Sequence, residues 1–220
     1  MPRSAAEISR IVRSLQRTRD RWNPTSVAEI AERSRDPFRV LVSCLISLRT
    51  KDEVTAESSA RLFRLAATPE AMLALPAARI ARTIYPAGFY RTKARTIREI
   101  CRTLLAAHGG RVPDDLEVLL SLKGVGRKTA NLVVTMGHGR PGICVDTHVH
   151  RINNRLGIVK TTTPEQTEFA LRETLPRRFW IPYNDLLVRF GQNVCKPISP
   201  LCGGCPVQQL CPRLGVGRHR

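Results

Sequence analysis

Cys195-x6-Cys202-x2-Cys205-x5-Cys211 places four thiols within seventeen residues near the C-terminal end of the chain. Such a segment cannot run as a long helix, because Pro197, Pro200, Pro206 and Pro212 interrupt it and Gly203-Gly204 separates two of the cysteines. It is free instead to wrap a metal. Zinc and a [4Fe–4S] cluster both accept four thiolates. The six-residue first gap is long for a zinc knuckle and leans toward iron–sulfur, but the spacing leaves both metals open. With either, a closed four-thiolate site has no position left for substrate, so its role is structural. Cys44, Cys101 and Cys144 lie in apolar stretches and read as small core residues. An odd total of seven, with no secretory signal in the sequence, argues against a disulfide framework and for the reducing cytoplasm.

Elsewhere the chain reads as helix after helix. Ser4-Ala-Ala-Glu7 forms a capping box before Ile8, Ile11, Val12 and Leu15 at helical spacing. Asp36-Pro37 pairs an N-cap with a first-turn proline and opens an apolar helix to about Leu48. Further helices are expected over Asp52–Leu65, Pro69–Leu75, Ala77–Ile84, Thr92–Ala107, Leu116–Leu122, Arg127–Met136, Thr147–Leu156, Thr163–Leu175 and Asn184–Val194. No stretch alternates as a strand does between turn signals, so the expected fold is all-α. No run of about 18 apolar residues exists to span a membrane.

Thirty-six basic residues against eighteen acidic ones give a formal net charge of +18. A field of that sign draws polyanions, making nucleic acid the leading partner; a merely basic protein is the alternative on charge alone. Only Lys51, Lys93, Lys123, Lys128, Lys160 and Lys196 are lysines, and the other 30 basic residues are arginines. Arginine suits phosphate but does not readily lose its proton, so covalent amine chemistry has six candidates.

Leu122-Lys-Gly-Val-Gly126-Arg-Lys-Thr-Ala-Asn131 lies between two helical stretches and reads as a helix-hairpin-helix. Its glycines permit a sharp turn, and the helix that follows offers amide donors to a DNA phosphate. Such contacts position a duplex without reading its bases. Lys128 on that first turn is either a phosphate contact or a nucleophile. Asp146, in Val145-Asp-Thr-His-Val-His-Arg151, stands where a helix begins, and taken alone it is a helix cap. His148 and His150 read as helix-face residues. A weak echo links Gly88-Phe-Tyr-Arg-Thr-Lys93-Ala to Gly124-Val-Gly-Arg-Lys128-Thr-Ala in layout.

In combination, residues 122–131, residues 145–151 and the cysteine pattern resemble the endonuclease III family of the helix-hairpin-helix DNA glycosylase superfamily. The resemblance runs from about residue 5 to 213. It implies two all-α domains with a DNA-binding cleft between them: a six-helix barrel at 30–140 containing the hairpin at 116–136, and an iron–sulfur domain made of 1–29 with 141–220. Cys195, Cys202, Cys205 and Cys211 are then the ligands of a [4Fe–4S] cluster.

Lys128 matches the family's nucleophile and Asp146 its catalytic carboxylate. The implied enzyme is a base-excision-repair DNA N-glycosylase and AP lyase that removes oxidised pyrimidines through a lysine Schiff base. Its expected partner is double-stranded DNA containing damaged bases or abasic sites, approached as a monomer at the cytoplasmic nucleoid. Gly124, Val125, Gly126 and Arg127 are expected against the DNA backbone. Arg49 stands where the family usually has a gap-filling glutamine. Phe89 falls at an apolar wedge position, with core packing as its alternative. Lys196 is the single charge of a loop, 196–201, that touches DNA in relatives. Alternatives are a mismatch-specific thymine or uracil DNA glycosylase, and a non-catalytic iron–sulfur DNA-binding protein.

Overall fold

A computed structural model describes residues 3–34 and 36–220, and all regular structure among them is helical. Twelve α-helices appear: α1 (Ala5–Gln16), α2 (Ser26–Ser34), α3 (Pro37–Ser47), α4 (Asp52–Leu65), α5 (Pro69–Ala74), α6 (Ala77–Ile84), α7 (Tyr90–His108), α8 (Leu116–Ser121), α9 (Arg127–Leu132), α10 (Thr147–Arg155), α11 (Pro164–Thr174) and α12 (Trp180–Asn193). No helix is long and apolar enough to cross a membrane. The capping box at Ser4 and Glu7, and the caps at Asp36 and Thr163 each followed by proline, form as their chemistry requires. α2 has no counterpart in the sequence reading. It buries only Val27, Ala28 and Ala31 among its apolar side chains, too few and too small to make a clear stripe. Arg127–Met136 was expected as one helix; instead α9 ends at Leu132 and widens into a π turn at Val133–Gly137.

Contacts divide the chain into two compact units, Ser26–Arg140 and the segment up to Thr25 with Pro141–Arg220. Within the first, α3 is apolar almost all round, burying Phe38, Val40, Leu41, Val42, Cys44, Leu45 and Ile46. A helix of that kind must be covered on every side. α2, α4, α7, α9 and the π turn pack around it.

In the second unit, Ile8, Ile11, Val12 and Leu15 of α1 join Val149, Ile152 and Leu156 of α10, Leu171 of α11 and Leu186, Leu187 and Phe190 of α12. Cys195, Cys205 and Cys211 pack against the same cluster, so the cysteine loop rests on this core. Buried Asp185 on α12 accepts from Arg19 at 3.1 Å and forms an ion pair with Arg189 at 2.8 Å, and Arg189 also donates to the Trp22 carbonyl at 3.3 Å. These bonds pin the segment after α1 to α12. Asp185→Ala would leave buried Arg189 without its counter-charge and should lower the unfolding free energy by about 3 kcal/mol in urea titrations.

Candidate active site and iron–sulfur centre

The hairpin is built by α8, a five-residue turn and α9. Asp115 caps α8, accepting from the amides of Glu117 at 2.9 Å and Val118 at 3.0 Å. The Val125 amide closes the turn on the Leu122 carbonyl at 3.0 Å. Gly124 holds φ +80°, and a Cβ there would lie 2.8 Å from Thr96 Cγ2, so both conformation and space call for glycine. Gly126 has an ordinary φ of −95° and caps α9. Val125 points inward at 6% exposure and can present only its main chain outward.

Lys128 lies on the first turn of α9 and is exposed, with Arg127 half-buried beside it. Its charge is felt at Cys44 on α3, whose thiol burial pushes up to about 12 while the ammonium opposes that shift. Lys123 pairs instead with Glu99 at 3.1 Å.

Asp146 caps α10: Oδ1 accepts from the amides of His148 and Val149, each at 2.9 Å. Both bonds use one oxygen, and Oδ2 takes no part in the cap. Capping and chemistry are therefore compatible in this carboxylate, which is only half-buried. His148 and His150, read as helix-face residues, turn out to be anchors. His150 Nδ1 meets Thr167 Oγ1 of α11 at 2.7 Å. His148 packs so closely on α12 that a Cβ at Gly191 would lie 2.3 Å from its Nδ1.

Arg49 and Phe89 meet within Ser26–Arg140. The Arg49 guanidinium lies 5.4 Å from the centre of the Phe89 ring, and both residues take left-handed φ angles, 53° and 56°. Phe89 is 62% exposed, which removes core packing as the reason for its presence.

Cys195, Cys202, Cys205 and Cys211 line one cavity with Phe190, Leu156 and Val207. Burial pushes the Cys205 thiol up to about 11, and the other three cysteines push it the same way. Sulfur-directed donors are present: Arg155 reaches Cys195 Sγ at 3.4 Å, and the Arg213 amide reaches Cys211 Sγ at 3.4 Å. The residues thus fit a [4Fe–4S] cluster, which would tie the loop to the core of its unit and leave no coordination position for substrate.

Sequence reasoning missed the two arginines that hold this loop. Arg151 donates to the Cys195 carbonyl at 2.9 Å, and Arg155 donates to the carbonyls of Lys196 and Pro197, both at 2.7 Å. Both belong to α10, the helix that Asp146 caps, and their i, i+4 spacing on its last turns was the available signal. Lys196 is half-buried, with its carbonyl taken by Arg155. Arg155→Met should lower the iron bound per chain and speed bleaching of the cluster's brown absorbance in air. Arg155→Lys should fall between, since one ammonium cannot reproduce the forked contact.

Residues 42–177 match the family model described as HhH-GPD superfamily base excision DNA repair protein, and 195–211 match the iron-sulfur binding domain of endonuclease III. Endonuclease III of Thermotoga maritima is 50% identical over 188 residues, which are 84% of this chain and 88% of that one. A solved non-covalent endonuclease III–DNA complex superposes with a TM-score of 0.85 at 32% identity, covering 96% of each chain. A trapped endonuclease III–DNA covalent intermediate gives 0.76 at 36% identity, covering 81% of this chain and 84% of that one. The chain therefore belongs to the helix-hairpin-helix superfamily of base excision DNA repair proteins, in its iron–sulfur-bearing endonuclease III branch, and is a DNA glycosylase and AP lyase.

Proposed function

We propose that Lys128 is the nucleophile and Asp146 the catalytic carboxylate of an enzyme that removes oxidised pyrimidines from duplex DNA. The carrying observation is that Lys128 stands exposed on the hairpin helix, whereas Lys93, the buried lysine of the same unit, has its amine fully engaged by Ile46, Leu48 and Thr50, and Lys123 pairs with Glu99. The damaged nucleotide leaves the stack, because its C1′ is out of reach inside a duplex. The neutral Lys128 Nζ attacks C1′, the glycosidic bond breaks, and the base departs with the electron pair and takes a proton. The sugar ring opens to a protonated Schiff base. A proton then leaves C2′, the C3′–O bond breaks, and the 3′ phosphate is released. Asp146 stabilises the positive sugar and moves protons between these steps. The trapped covalent intermediate seen with a relative 36% identical supports this route.

The main chain at Gly124, Val125 and Gly126, with Arg127 and Lys196, holds the DNA backbone. Arg49 and Phe89 enter the space that the flipped nucleotide vacates. The enzyme works as a monomer on double-stranded DNA carrying damaged bases or abasic sites, at the cytoplasmic nucleoid. Borohydride should trap a covalent adduct with a thymine-glycol duplex, and Lys128→Gln should abolish it while damaged-DNA binding persists. Trapping that survives the substitution would sink the assignment.

Asp146→Asn keeps an Oδ1 cap, so stability should change by no more than a few tenths of a kcal/mol. Strand cleavage should nonetheless fall by about 100-fold or more. Asp146→Ala should in addition cost about 1 kcal/mol of stability through loss of the cap. Equal cleavage by wild type and Asp146→Asn would return Asp146 to a capping role alone.

A further inference from the structure

Lys93 is the one buried lysine among the described residues, 7% exposed. It projects from α7 onto the C-terminal end of α3. There Nζ donates to the carbonyls of Ile46 and Leu48, each at 2.6 Å, and to Thr50 Oγ1 at 2.9 Å. An ammonium has three donors, and all three are spent. Burial pushes this amine down to about 8, so a charge here depends on the oxygens that face it.

Those acceptors bracket Arg49. Thr50 Oγ1 also accepts from the Gly88 amide at 3.1 Å, and a Cβ on Gly88 would lie 2.5 Å from the Arg49 carbonyl oxygen. The next residue, Phe89, is the N-cap of α7, and its carbonyl accepts from the Lys93 amide at 3.0 Å. A closed circuit results: Phe89 to Lys93 along the first turn of α7, Lys93 to the turn at 46–50 through its amine, and Arg49 back to Phe89 through the guanidinium over the ring. Left-handed backbone is unfavourable at residues with side chains and persists only where surroundings over-determine it. Here two such residues face one another, and the Lys93 amine, with the Thr50 hydroxyl it shares with Gly88, ties their turns.

We propose that Lys93 is a positioning residue for base extrusion, latching the Arg49 turn to the Phe89 turn so that guanidinium and ring meet DNA as one rigid pair. The proposal rests on reading Arg49 and Phe89 as the residues that fill the vacated space. It deepens that reading. An arginine side chain has many rotatable bonds, so its aim at the orphaned base depends on how firmly its turn is held. The latch therefore sets how sharply the enzyme distinguishes the base opposite the lesion.

The test follows single-turnover excision from duplexes carrying thymine glycol opposite each of the four bases. Cleavage of an abasic site in single-stranded DNA, where no opposite base exists, is measured alongside. Arg49→Ala and Phe89→Ala examine the underlying reading and should slow duplex excision and flatten its opposite-base preference. Lys93→Met, and the milder Thr50→Val, should slow duplex excision roughly 10- to 100-fold more than single-stranded cleavage and flatten the same preference. Either change combined with Arg49→Ala should add less than about threefold, because both act through one device.

A wild-type profile for Arg49→Ala and Phe89→Ala would remove the reading beneath the proposal. If those two alter the profile but Lys93→Met and Thr50→Val do not, the latch is refuted. Equal slowing of both substrates, or effects that multiply with Arg49→Ala, would likewise make Lys93 merely structural. Should Lys93→Met not fold, Thr50→Val decides by the same criteria.

Discussion

Buried and half-buried cations in this protein are answered mainly by backbone carbonyls at the ends of helices, and most of its site geometry depends on that. With 36 basic side chains and 18 acidic ones, carboxylates cannot answer every cation. The last carbonyls of a helix lack partners within it and carry the negative end of its dipole, so a cation placed there satisfies both needs. Lys93 closes α3, Arg61 closes α6 through Thr83 and Tyr85, Arg98 closes α5 through Leu75, and Arg3 closes α10 through Leu156. Arg151 and Arg155 do the same where α12 gives way to the cysteine loop. Asp185 with its two arginines, and Glu168 with Arg172, use a buried carboxylate instead.

This arrangement separates two uses of positive charge. Cations turned inward fix turns and loops, and the remainder stay on the surface to meet a polyanion. Arg155 holds the cluster loop by the Lys196 carbonyl and takes no part in that residue's own charge. Lys93 and Lys128 divide in the same way within one unit. Their local sequences echo one another, Gly-Phe-Tyr-Arg-Thr-Lys and Gly-Val-Gly-Arg-Lys, but in the first the left-handed residue is Phe89 and in the second it is Gly124. That shift, together with the extra residue before Lys93, turns one amine into the core and leaves the other exposed on the hairpin helix.

α10 shows how closely chemistry and architecture share residues. Its N-cap is the carboxylate assigned to catalysis, and its last turns carry the arginines that hold the cysteine loop. His148 and His150 lock it to α12 and α11 between those ends. A capping role for Asp146 was the plain reading of the residue alone, and it is correct. It does not compete with the catalytic role proposed for Asp146, because the cap occupies Oδ1 only.

Much of the fold was written in local signals. Caps, first-turn prolines and apolar periodicity act within a few residues of one another, so α1, α3 and α11 could be placed without knowing their neighbours. The glycine hairpin and the four spaced cysteines were legible for the same reason: turn geometry and metal ligation constrain residues close in sequence. α2 escaped because its small side chains gain their burial from α3, α4 and the π turn. Lys93, Arg151 and Arg155 escaped because nothing local marks a cation as inward-facing; the carbonyls that receive them lie about forty residues away in sequence. Composition and motif determined that this chain would be helical, cationic, metal-binding and armed with a lysine on the first turn of its hairpin helix. Only tertiary structure decided which lysine is spent on the fold, that Phe89 stands in solvent against Arg49, and which helix holds the cysteine loop, since each depends on contacts between segments that sequence distance keeps apart.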